Sequence, residues 1–537
     1  MKRYSLLILL VMAALLLAQC APAAPATPAG EAPAAEQPAA AGDVARKDIF
    51  VYAHPTTIPN LDPSTSYSND LVVMANCYET LTFYNAPGSA ETLSPKLAES
   101  WESNEDATEW TFKLRQGVKF QDGEPLNAAA VKYSIDKIRE LAVGAYYIWD
   151  AVDTIEAVDD YTVKFTLTYS SPLDLVASAN YAAWIFSPKA YEENGPDWFN
   201  EGHCAGTGPY TIDSYERGSR LIMSANEDYW GGWKDGQFKK VVFELIEDPT
   251  VTQRMIESGE ADFTYQLPAD NLEKIKQNPN LVVYQNPAFL NLVGLFNTVK
   301  PPLDNKLVRQ ALSYTFPYDA FMEGVMNDRA TQAFGPVPDG MWGHSKDLFQ
   351  YSYDLEKAKE LLTEAGYPDG GFKLLYTFAT GDLDEQTAGE LWKAELAKLG
   401  IEMELQGLSW EAQWDLSKAD PAKAQDVFVM YWWPDLPSPY SFLFSTFHSE
   451  DEPFFNLAYY SNPEFDNMIN TANELTATDF ETAEQMFVDA QQILLEDAAS
   501  LFIYDRQDVW VTVNDLQGFK FNPAYPTVVF FHDLTME

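Results

Sequence analysis

Cysteine and histidine are scarce in this sequence. The 537 residues contain three cysteines and five histidines. No Cys-x-x-C pair occurs, so zinc-ribbon and thioredoxin-type sites are excluded. The histidines (His54, His203, His344, His448, His532) are scattered, with no H-E-x-x-H run, so no metal centre and no cofactor is expected. There is also no G-x-S-x-G elbow and no phosphate-cradling P-loop, which removes the common hydrolase and NTPase signatures. Positive charge is short too. Against 80 Asp and Glu stand only 35 Lys and Arg, a formal net charge of −45. A field of that sign repels phosphate backbones and anionic lipid surfaces, so nucleic acid is excluded as a partner. It suits a well-solvated surface and neutral or cationic ligands.

Apolar and aromatic residues are plentiful. They make up 46% and 14% of the chain, more than disordered sequences carry. The length allows several domain-sized lobes.

The N-terminus reads as an address. Lys2 and Arg3 precede an apolar run from Leu6 to Leu17, too short to span a bilayer comfortably. Leu17-Ala18-Gln19-Cys20 follows and resembles a lipoprotein processing box, with Gln19 standing where Gly, Ala or Ser is usual. That resemblance implies a signal peptide over 1–19 and a lipid on Cys20. Residues 21–42 are almost entirely Ala and Pro with small polar residues. Such a stretch cannot bury a core and acts as an extended spacer, so 20–47 reads as lipidated cysteine plus tether. The chain is expected to be exported, lipid-anchored at the outer face of the cytoplasmic membrane or periplasmic, touching membrane only through that anchor.

In the body, strands and helices alternate, the mark of an α/β protein with mixed sheets. Strand patterns lie at 49–53, 110–114, 161–167, 210–215, 372–378, 401–405 and 426–433. Two more are expected at 501–504 and 509–513. Asn69 or Asp70 is placed to cap a helix carrying Leu71, Met74, Tyr78 and Leu81. Asp382-x-x-Glu385 reads as the capping box of a helix ending before Gly400. Residues 480–497 form an amphipathic helix with Ala483, Phe487, Ala490 and Leu494 on one face. Gly206-Thr207-Gly208-Pro209 is the strongest punctuation in the chain.

Several motifs together resemble family 5 extracellular solute-binding proteins, the peptide receptors of ABC importers. They are Leu93-Ser-Pro-Lys-Leu-Ala-Glu-Ser-Trp101, Trp110-Thr-Phe-Lys-Leu-Arg-Gln-Gly-Val-Lys-Phe-Gln-Asp-Gly123, Gly206-Thr-Gly-Pro-Tyr210, Tyr229-Trp-Gly-Gly232, Leu303-Asp-Asn-Lys-Leu-Val-Arg-Gln-Ala-Leu-Ser313, Glu364-Ala-Gly-Tyr-Pro-Asp-Gly370 and Tyr460-Ser-Asn-Pro-Glu-Phe-Asp466. The resemblance implies a type II, two-lobed periplasmic-binding-protein fold with an extra subdomain in the first lobe and two chain crossings at a hinge. It divides the chain into a first lobe (48–85, 206–295 and 505–537), a subdomain (86–205) and a second lobe (296–504). The crossings fall near Phe296 and Tyr504. It further implies a monomeric, non-enzymatic receptor that delivers a peptide to ABC permease subunits.

The stretch Tyr431-Trp432-Trp433-Pro434-Asp435-Leu436-Pro437-Ser438-Pro439-Tyr440-Ser441-Phe442 is the most informative for the site. By resemblance, Asp435 pairs with the peptide's α-amino group, a charge-assisted bond in a water-poor cleft. The other reading is an Asx turn between Pro434 and Pro437. Trp432 and Trp433 offer aromatic walls. Trp410 and Trp414 share a helix face, as core anchors or as cleft lining. Tyr67 sits where the first cleft loop is expected, and Arg329 is the one candidate for a carboxylate clamp. Cys77 and Cys204 either pair as a disulfide or lie as two buried thiols. The competing functions are an oligosaccharide receptor of the same family, a secreted two-carboxylate glycoside hydrolase, and a surface peptide chaperone without a transporter.

Overall fold

The computed structural model describes residues 48–536 apart from Gln266, Ala269, Asp270 and Glu452. The signal peptide, Cys20 and the tether lie outside the described residues.

Ten strands run through one large mixed sheet: β1 (Ile49–His54), β2 (Tyr210–Glu216), β3 (Arg220–Ala225), β4 (Lys240–Leu245), β5 (Phe263–Tyr265), β6 (Leu281–Phe296), β7 (Lys373–Ala379), β8 (Glu402–Leu408), β9 (Val427–Trp432) and β10 (Ser500–Val513). Their order is β8-β7-β9-β6-β10-β5-β1-β4-β3-β2, and a short strand, Ala330–Gln332, pairs with β10 off this path. β7 pairs parallel with β8 across the helix Leu383–Ala397, a crossover of the kind parallel pairing requires. β9 reads VFVMYW and is buried at all but one position, a continuous apolar run suited to a strand covered on both faces.

β6 and β10 hold the architecture together. They pair antiparallel along nearly their whole lengths, with register breaks between Pro287 and Asn291 and between Leu292 and Val293. On one side of the first break β10 continues to β5 and β1; on the other, β6 continues to β9 and β7. The sheet therefore has two halves joined by two strands that pass from one to the other around Pro287–Asn291 and Asp505–Asp508. The two closing strands expected from the sequence are one strand. The polar run Asp505-Arg506-Gln507-Asp508 breaks the apolar pattern because it lies at that passage. Arg506 and Asp508, both largely buried, pair there (2.5 Å).

A separate four-stranded antiparallel sheet (98–103, 109–114, 152–159 and 162–167) forms the subdomain. One buried apolar cluster joins it to the first half of the large sheet and to the inner face of the second half; a second cluster fills the outer layer around β7, β9 and Trp392.

Helix ends follow the sequence closely. Helix α1 (Leu71–Cys77) is buried throughout, but Asp70 at its start makes no cap bond; its carboxylate accepts from the Ser66 hydroxyl instead. Helix α2 (Leu383–Ala397) starts with Asp382 accepting from the Glu385 N–H (2.9 Å). The reciprocal bond of a capping box is missing, because the Glu385 carboxylate accepts from Ala379 N–H of β7 (2.7 Å). The helix Phe480–Asp497 buries Ala483, Phe487, Ala490 and Leu494 as expected. Among the described residues no helix is long and apolar enough to cross a membrane.

Candidate functional site in the interlobe cleft

Asp435 lies in the loop between β9 and helix α4, Pro439–Phe447. Pro434 and Pro437 stiffen this loop, and Ser438 caps α4 by accepting from Tyr440 N–H. The Asp435 backbone N–H donates to Ser441 Oγ (2.8 Å). Its carboxylate is fully buried. Tyr67 donates to Oδ1 (2.8 Å) and Tyr147 to Oδ2 (2.5 Å). The Tyr147 hydroxyl also meets Ser445 Oγ (2.9 Å).

These partners come from different parts of the chain. Tyr67 belongs to the loop after β1, Tyr147 to a short turn of the subdomain, and Asp435 to the far half of the sheet. Asp435 thus ties three bodies together through two hydroxyls. Among the described residues no lysine or arginine pairs with it. Burial pushes its carboxyl up to about 6, opposed by the hydrogen bonds from Tyr147, Tyr67 and Ser445. A carboxylate in that position is a ready acceptor for a cationic N–H donor.

The walls are aromatic. The Tyr67 ring packs on Tyr181 (centroids 5.1 Å) and Phe455 (5.7 Å). Gly144 allows this: it has φ +62°, and a Cβ there would stand 3.1 Å from the Tyr67 ring. The Trp433 indole N–H donates to the Tyr181 hydroxyl (3.2 Å). Trp432 meets Phe455 edge-on at 5.3 Å. On the other side of Tyr147, Phe444 stacks on its ring (5.6 Å). Beyond it opens a cavity of about 250 Å³ whose lining includes Tyr169, Tyr440, His448 and, at its acidic positions, Asp150 and Glu474.

The structure therefore gathers Asp435, Tyr67, Trp432 and Trp433. Trp410 is not brought to Asp435. It starts helix α3 (Trp410–Ala419), is 46% exposed, and packs on Trp414 (5.4 Å) and Phe428. Trp414 alone of the two continues the aromatic chain, to Phe455 (5.8 Å). Arg329 is elsewhere as well, paired with Asp384 at 3.4 Å. Cys77 and Cys204 are both buried free thiols rather than a bridge, yet they are neighbours within hydrogen-bonding reach. Sequence reasoning missed Tyr147, Tyr181 and Ser445, and it included Ser441 in the informative stretch without giving it a role. The aromatic run Ala145-Tyr146-Tyr147-Ile148-Trp149 is the one signal that could have flagged Tyr147. Among the described residues no cluster of His, Cys, Asp and Glu is arranged to hold a metal ion.

Comparison with known proteins places this geometry. The chain is 29% identical over 490 residues to the probable D,D-dipeptide-binding periplasmic protein DdpA of Escherichia coli K12, covering 90% of this chain and 93% of the relative. It is 29% identical over 488 residues to the glutathione-binding protein GsiB of Pectobacterium atrosepticum, covering 89% and 92%. Its fold superposes on the periplasmic binding protein DppA of Helicobacter pylori, solved with the peptide STSA, with TM-score 0.79, 26% identity, and 91% and 98% of the two chains covered. The fold is thus the type II periplasmic-binding-protein fold. Residues 92–454 match the family described as bacterial extracellular solute-binding proteins, family 5 middle, and the chain belongs to that family.

Proposed function

We propose that this protein is the extracytoplasmic receptor of an ABC importer, capturing di- or oligopeptides between its two lobes and handing them to the membrane permease. Its family consists of solute-binding receptors rather than enzymes, so the hydrolase alternative is set aside. The observation that carries the peptide reading is Asp435, a buried carboxylate reached among the described residues by hydroxyl donors, inside an aromatic enclosure shared by both lobes. A peptide's α-ammonium entering there would replace tyrosine hydroxyls with a charge-assisted partner. The aromatic walls would desolvate it and add cation–π attraction. The relatives are named as dipeptide- and glutathione-binding proteins, so the oligosaccharide alternative is not favoured. Lobe closure on the β6–β10 crossings, a lipid on Cys20 holding the receptor at the membrane, and action as a monomer complete the proposal.

Calorimetry on four combinations tests it: wild type and Asp435→Asn, each with a free peptide and its N-acetylated form. Asn keeps the shape and removes the charge. A hydrogen bond to a charged group contributes about 1.5–3 kcal/mol, so affinity for free peptide should fall roughly ten- to a few-hundredfold. Acetylation should weaken the wild type by as much and the variant far less. Full additivity of the two changes overturns the amine-anchor role.

A further inference from the structure

Trp432, Asn291 and Asp505 form one row across three adjacent strands. Asn291 of β6 is paired in register with Trp432 of β9 on one side and with Asp505 of β10 on the other. Residues directly opposite one another project from the same sheet face, so the three side chains stand side by side. Each is at most 7% exposed. Each also carries a buried polar atom without a hydrogen-bond partner: Trp432 Nε1, Asn291 Oδ1 and Asp505 Oδ1. Their other polar atoms are engaged. Asn291 Nδ2 donates to the Pro336 carbonyl (2.5 Å), and Asp505 Oδ2 accepts from the Asp339 backbone N–H (3.1 Å). Buried polar groups in native proteins are almost always paired, so three unpaired atoms in one row leave partners to be supplied from outside the chain, by water or by a ligand. The row lies where the two strands pass between the halves of the sheet, and Trp432 is three residues from Asp435.

The row offers two oxygens that accept and one indole N–H that donates. We infer that it is a second recognition subsite, taking the cationic side chain of a basic ligand residue on Asp505 and Asn291, with the Trp432 indole N–H donating to a carbonyl of the ligand. This rests on the peptide reading of the site. No lysine or arginine among the described residues pairs with Asp505. Lys346 instead reaches Asp339 (3.2 Å), whose other carboxylate oxygen lies 3.9 Å from His344 Nε2. Burial holds the Asp505 carboxyl well above the usual range, with the Asp339 charge adding to the rise and Lys346 and the Asp339 N–H opposing it. A basic side chain bound there would favour the ionised carboxyl, so its binding is coupled to release of protons from the raised group.

The test uses di-, tri- and tetrapeptides in matched lysine and norleucine versions, titrated by calorimetry from pH 5 to 8 in buffers of different ionisation enthalpy. Wild type should bind the lysine versions roughly ten- to a hundredfold tighter. Within that range it should also release more protons with them than with norleucine. In Asp505→Asn the lysine preference should shrink to within about threefold and the extra proton release should disappear. Equal affinities and equal proton counts in wild type overturn the subsite and leave the peptide reading standing. Binding of no peptide of either series overturns both. If Asp505→Asn does not fold, the lysine–norleucine comparison and the proton count in wild type still decide.

Discussion

Glu385 is a carboxylate placed where water cannot reach it. It is 2% exposed, accepts from Ala379 N–H, and is pushed up to about 9 by burial and by the nearby Asp382 charge. A folded-state value raised above the unfolded one gives stability that is fully present below the unfolded value and lost as pH rises through the folded one. For Glu385 the loss runs from about pH 4.5 to 9, on the order of 1 kcal/mol per pH unit at most. Glu385→Gln keeps an oxygen for the Ala379 N–H and removes the charge. Calorimetric melting should show the variant more stable than wild type at pH 8 and nearly unchanged at pH 4.5. An equal shift at both pH values contradicts this. The sequence marks Glu385 as a helix-start residue; that its carboxylate turns to β7 instead of the cap depends on the strand lying above it. Asp435 was legible by its motif, whereas Tyr147 sits 288 positions away in sequence, and only folding brings the two together.

At the element scale, the end of α1 shows why Gly206-Thr207-Gly208-Pro209 is there. The Cys77 carbonyl accepts from Gly208 N–H (3.0 Å) and from Gln121 Nε2 (3.3 Å). A Cβ on Gly206 would stand 2.1 Å from that carbonyl oxygen, and one on Gly208 2.6 Å from the Asn76 carbonyl oxygen. These are backbone atoms fixed by a buried helix, so they cannot give way. Gly206→Ala should cost about 3 kcal/mol or more in urea unfolding, and a change below about 0.5 kcal/mol would refute the steric account. The sequence shows these glycines as a break between strands. Their close approach to α1, and the neighbouring placement of Cys77 and Cys204 that follows from it, are tertiary facts. So is the continuity of β10, since its polar middle imitates a loop in one dimension.

For the whole molecule, a pH dependence of closure is the expected consequence of burying Asp435 between the lobes. Its carboxyl stands at about 6 when enclosed by Tyr67, Tyr147, Ser441 and Ser445, and reverts toward about 3.9 once exposed to water. Closure without ligand is therefore favoured fully below about pH 4 and loses that support as pH rises through 6. Small-angle scattering of ligand-free protein should give a larger radius of gyration at pH 7.5 than at pH 5, and Asp435→Asn should remove the difference. A radius independent of pH in wild type argues against this latch.

Hydrophobic period, turn residues and caps are local properties, and they determined the alternation of strands and helices, most helix starts and the α/β class. The motif set determined the family and pointed to Asp435, Trp432, Trp433 and Tyr67. Only the tertiary structure decided which residues meet. It left Trp410 and Arg329 away from Asp435, brought Tyr147 to it, and lined up Trp432, Asn291 and Asp505 in one row. Cross-strand neighbours and interlobe partners are set by register and by packing between distant segments, and nothing in the order of residues along one segment encodes what will lie opposite it.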